Sequence, residues 1–157
     1  MAKLLVTNSF GLLALLLPIC GCLQQHALKP YAGQWVLQTN GKNLMVLQTR
    51  VHGRNITGTL NTPAQFTENA DGTFSDIRLP VETRRIVRSG SPTMGIILVM
   101  QHNGQEERMP ARLSGQNDLF ISWEPDYVPE WHFLRVPKNM KTGVARDWGE
   151  TSAAPRK

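Results

Sequence analysis

A chain of 157 residues suffices for one domain with short appendages, and 41% apolar against 18% charged residues places it among globular rather than disordered proteins. The formal charge of +5 falls to about +4 without Lys3, the one charge in the first 21 residues, so the bias is mild. Basic residues without interleaved aromatics argue against a nucleic-acid stacking platform, and the only cysteines, Cys20 and Cys22, leave no disulfide framework or thiolate metal site for the folded part.

The chain begins with a single positive charge at Lys3, an apolar run from Phe10 to Ile19, and Gly21 directly before Cys22. That run is shorter than the roughly 20 apolar residues of a membrane-spanning helix and has the layout of a secretory signal. Its end, Ile19-Cys20-Gly21-Cys22, resembles the bacterial lipobox, with Cys20 standing where alanine or serine is commoner. The resemblance implies cleavage before Cys22, acylation of that cysteine, and a membrane anchor made of several acyl chains, since one chain alone binds a membrane only marginally. Leu23 follows the cysteine where an aspartate would signal retention, so the expected location is the cell envelope, at the outer membrane facing the periplasm. The expected organisation is a signal peptide over residues 1–21, a tether over 22–30, a β domain over 31–137, and a tail over 138–157 without fixed structure.

From Tyr31 onward, short apolar runs alternate with turn signals about every 8 to 12 residues, the pattern of an all-β barrel or sandwich. Asn40-Gly41 sits between Trp35–Thr39 and Leu44–Val51 and predicts a type I′ hairpin. His52-Gly53-Arg54 makes the next turn, after which Ile56, Gly58 and Leu60 share one face of a strand that Pro63 should end. Asp71-Gly72 and Asn103-Gly104 are two more hairpin signals. Between them, Pro80 and Gly90-Ser91-Pro92 bound Val81–Arg88, where Ile86 and Val87 point to opposite sides. If Val87 faces inward then so does Arg85, and an inward arginine fits a polar ligand cavity better than a dry core. Gly95–Met100 is apolar on both faces and is expected to be the most buried strand. In Glu107–Leu113, Met109, Ala111 and Leu113 turn inward, with Arg108 and Arg112 outward and Pro110 at an edge or bulge. Leu119–Trp123 and Trp131–Val136 complete nine or ten strands, separated by the proline-stiffened loop 124–129.

An up-and-down order of strands that opens with Gly33-Gln34-Trp35 resembles the calycin superfamily of lipocalins, fatty-acid-binding proteins and avidins. The resemblance implies that Trp35 lies on the first strand of a closed antiparallel barrel and that Arg135, inward with Trp131 and Phe133, packs over its ring to close one end. A guanidinium over indole contributes about 0.5–2 kcal/mol.

No Gly-x-Ser-x-Gly elbow, phosphate loop or His-Glu-x-x-His motif occurs, so neither catalytic residues nor a metal or cofactor are expected. Glu124, Asp126 and Glu130 are loop carboxylates, and a hydrolase pairing Glu124 or Asp126 with His132 is the weakest of three readings. The leading one is a non-enzymatic, lipid-anchored envelope protein that binds a small apolar or amphipathic ligand, with Arg85, Trp123 and Trp131 as ligand-binding candidates, or that supports an envelope assembly. An inhibitor or partner-binding protein acting through the 124–129 loop is the alternative.

Overall fold

The computed structural model describes residues 27–90, 95–123, 130–140 and 142–148; Cys22 with its leader and the 124–129 loop lie outside them. Eight antiparallel strands pair each with the next, and the last returns to the first: β1 (Gly33–Thr39), β2 (Lys42–His52), β3 (Asn55–Glu68), β4 (Phe74–Ser89), β5 (Ile96–His102), β6 (Gln105–Ser114), β7 (Asp118–Ile121) and β8 (Trp131–Val136). The sheet is a closed up-and-down barrel, which decides between the two expected architectures. Pairing of Trp35 with Arg135 and of Val36 with Leu134 closes it.

The hairpins form where the turn chemistry requires. Asn40 and Gly41 take φ of 52° and 72°, and Asn103 and Gly104 take 50° and 79°, the positive values that a type I′ turn needs. Strand alternation then sends one set of side chains inward: Trp35 and Leu37, Met45 and Leu47, Ile56 and Leu60, Leu98 and Met100, Met109 and Ala111, Leu119 and Ile121, Trp131 and Phe133 are all buried in one core.

Three expectations need correcting. Neither Pro63 nor Pro80 ends a strand; β3 and β4 run straight through them and pair Pro63 with Val81, so eight strands form rather than nine or ten. The prolines are accommodated because the ladder slips between Pro63 and Gln65 and again between Gln65 and Thr67, where lost donors and bends are tolerated. The most buried run is not in β5, whose Ile97 is 39% exposed, but Leu44–Val46–Leu47 of β2, all at 0%.

The tail covers Val46 from outside, and it is the third correction. Residues 142–148 form no helix or strand, yet they are held against the outside of β1 and β2. The Ala145 amide donates to the Asn43 carbonyl, Gln34 Nε2 donates to Thr142, and Val144 packs on an outer cluster of Val36, Val46 and Val136. Lys42 pairs with Asp147 at 2.9 Å and lies 5.9 Å from the Trp148 ring centroid. A chain stopped after Met140 is therefore expected to lose about 1–3 kcal/mol, the sum of re-exposed valine surface and a lost backbone bond, as read from urea unfolding. An unchanged midpoint would show that the tail adds nothing to the fold.

Candidate functional site at the barrel mouth

The two ends of the barrel differ. At the end where β1 begins, the 3-10 turn Lys29–Tyr31 crosses the opening and Leu28 is buried beneath it. Arg135 fixes this closure: its Cζ lies 4.0 Å from the Trp35 ring centroid, its Nη1 donates to Ala32 O at 2.9 Å, its Nε donates to Gln116 O at 2.7 Å, and its Nη2 donates to Pro30 O. Burial pushes the guanidinium pKa below its ordinary value, and burial likewise raises that of Tyr31. Trp35 Nε1 donates to Tyr31 O at 3.2 Å and Thr49 Oγ1 at 3.3 Å, so the indole is satisfied at its edge and covered on its face. The glycine of Gly-x-Trp has its own reason: Gly33 has φ +149°, and a Cβ there would meet Arg135 Nη1 at 2.8 Å.

At the opposite end the sequence breaks its apolar pattern. Continuing inward from Ile86 along β4 come Arg84 and Glu82; from Met100 along β5 comes His102; from Met109 along β6 comes Glu107. Arg84 Nη1 bonds Glu107 Oε2 at 2.5 Å, and His102 Nε2 lies 3.0 Å from Glu82 Oε2. The Arg84 side chain is 14% exposed, its Cζ lies 4.6 Å from the Trp123 ring centroid, and its Nε has no hydrogen-bond partner. Thr62, opposite Glu82 on β3, is 1% exposed, and its hydroxyl is likewise unpartnered. Buried polar groups left without partners each cost about 1–3 kcal/mol, which makes such a pair at one mouth uncommon.

Over this layer folds a flap. Beyond Asn61, β3 no longer pairs with β2, and before Arg85, β4 does not pair with β5, so residues 62–68 and 74–83 form a two-stranded ribbon whose ladder bonds run only to each other. Such ribbons twist strongly, and the register slips after Pro63 bend this one. It crosses the mouth to β8: Glu68 Oε2 accepts from Trp131 Nε1 at 2.9 Å, and Phe66 stands edge-on to Trp131, ring centroids 5.8 Å apart. Trp131 in turn meets Trp123 at 5.2 Å. A cleft of about 200 Å³ opens between the flap tip and β8, with Glu68, Phe74, Trp131 and Leu37 among its walls.

Of the residues singled out from sequence, Trp35 and Arg135 meet as expected, and Trp123 and Trp131 meet each other at the mouth. Arg85 does not join them. It is exposed on the outer face beside Gln101 and the Asn103-Gly104 turn, because Ile86 rather than Val87 takes the inward place. The inward arginine is its neighbour Arg84, one residue of parity away, and with Glu107, Glu82 and Thr62 it was missed by the sequence reading. His132 is exposed, stacked on Phe120 and 2.7 Å from Asp118. Glu130 is paired with Arg112. Among the described residues, no group of three or more His, Cys, Asp or Glu side chains is placed to hold a metal ion. No family model matches this chain, and no curated protein or solved structure does either.

Proposed function

We propose that this chain is a non-enzymatic, lipid-anchored component of a bacterial envelope, fastened through Cys22 at the outer membrane, whose calycin-like barrel binds a small amphipathic ligand at the flapped mouth. The observation that carries the reading is Arg84: a guanidinium turned into the barrel, stacked on Trp123, with its Nε–H unspent, one cross-strand pair along the β3–β4 ladder on the same face from Thr62, whose buried hydroxyl is also unpartnered. A ligand head group with hydrogen-bond acceptors would satisfy both atoms, and its apolar part would lie against Trp123, Trp131 and Phe66. Glu107 neutralises Arg84, so the cation is tolerated in a half-dry site. The lipobox resemblance at Ile19–Cys22 supports the anchor, and Trp35 with Arg135 supports the kinship with calycins.

The test is native mass spectrometry of the full protein purified gently from its own envelope extract. A reproducible small-molecule mass, lost on denaturation, is the expected result. Arg84→Met, which keeps the stem and removes the guanidinium, is expected to reduce the retained mass at least tenfold, since a hydrogen bond to a charged group contributes about 1.5–3 kcal/mol. A clean apo mass with a co-purifying protein would replace ligand carriage by a role in an envelope assembly.

A further inference from the structure

The two ends of the barrel differ in carboxylates, although Lys42, Arg78, Arg84 and Arg85 also stand at the open one. Carboxylates gather at the mouth and on the flap: Glu68, Asp71, Asp76, Glu82, Glu106 and Glu107. At the closed end, among the described residues of the rim, the carboxylate is Asp118, which is held by His132. Basic groups line one side of that end. Lys29 lies on the crossing turn, Arg50 near the end of β2, Arg54 in the turn after it, and Lys138 just beyond β8. All four are exposed, and none has an ion-pair partner among the described residues. They come from the contiguous run β8, β1, β2, β3, so they share one side of the rim. Met140, 56% exposed, lies beside Lys138 on the same side.

We infer that this rim is a docking surface for the phosphate groups of an anionic phospholipid membrane, which it meets end-on so that the mouth points away from the bilayer. Charge complementarity selects the occupant: four unpaired cations with one exposed apolar side chain suit a headgroup layer, whereas a protein partner would need a larger apolar centre. Chain reach supports it, and in this respect the inference rests on the anchor proposed above. Ala27 enters at the closed end, and Cys22 stands five residues earlier, so the extended chain holds the rim within about 18 Å of an acylated Cys22. That reach is an upper limit, so the rim can approach the surface to within the roughly 8 Å Debye length of physiological salt.

The test uses the full-length protein in phosphatidylcholine vesicles with or without phosphatidylglycerol, with amide hydrogen exchange as the readout. Expected is slower exchange in the closed-end turns at Gly53-Arg54 and Gly115-Gln116-Asn117 only when phosphatidylglycerol is present, with the open-end turns Asn40-Gly41 and Asn103-Gly104 unaffected. Reversing both charges in Arg50→Glu/Arg54→Glu should abolish the difference, since each basic group near such a surface changes the attraction about fivefold. Equal exchange in the two vesicle types, or protection of the open-end turns, would overturn the inference. So would protection by soluble polyphosphate without any added effect of anionic vesicles. The intact mass of the same preparation reads acylation of Cys22 separately, so an anchor that is absent is distinguished from a rim that does not dock.

Discussion

Replacing Trp35 by alanine is expected to cost about 3–5 kcal/mol of stability, the range for removing a large, fully buried aromatic side chain. Trp35 is 0% exposed, and more depends on it than its own area. Its ring is the surface on which the Arg135 guanidinium lies, and its Nε1 bonds the carbonyl of Tyr31 in the turn that crosses the barrel end. Alanine would leave a cavity, a partly desolvated cation with no aromatic face, and a loosened N-terminal turn. Trp35→Phe separates these contributions: it keeps a face for Arg135 but loses both Nε1 bonds, so its cost should be about half as large. Urea unfolding of both variants is the measurement. A loss under 1 kcal/mol for the alanine variant would mean that the closed end is not built around this indole.

The second large effect is expected at a residue with no side chain. A Cβ on Gly58 would lie 1.9 Å from the carbonyl oxygen of Gln48 and 3.1 Å from Thr49 Cα. Both obstacles are backbone of the paired strand β2, so no rotamer change relieves the clash, and β2 and β3 must part locally. Gly58→Ala is therefore expected to cost roughly 3 kcal/mol or more, at the high end for overpacking because the obstacle is backbone. Amide exchange along Gln48–Arg50 and Thr57–Thr59 should quicken in step with the loss. If the alanine variant melts with the wild type, the strands do not approach this closely.

Much of the barrel is legible in the residue pattern, and the illegible parts have physical causes. Asn40-Gly41 and Asn103-Gly104 specify their turns locally, because few other dipeptides take positive φ at both positions. Trp131, Phe133 and Arg135 fall on one face by strict alternation, so their inward direction needed no tertiary information. Proline defeats that logic: Pro63 and Pro80 read as stops, yet a ribbon lacking other neighbours has no further ladder bonds for them to break. Parity failed at Ile86-Val87, two β-branched residues of equal claim to the core; their environment chose Ile86, and the inward arginine moved from Arg85 to Arg84 with it. Val46 lies on the outer face and is covered by Val144, a contact nearly 100 residues away in sequence that no local pattern announces.

The way Arg135 grips the chain ahead of β1 has a mechanical meaning. A pull on the N-terminal segment would reach Pro30 and Ala32 first, and through their carbonyls the load passes to Arg135 on β8 and to the Gln116 turn beyond it. The force is thus shared by several strands at once instead of peeling β1 from its neighbours one hydrogen bond at a time. The closure works as a strain relief, like the collar where a cable enters its housing, and it lets the barrel keep its shape when the chain ahead of β1 is pulled.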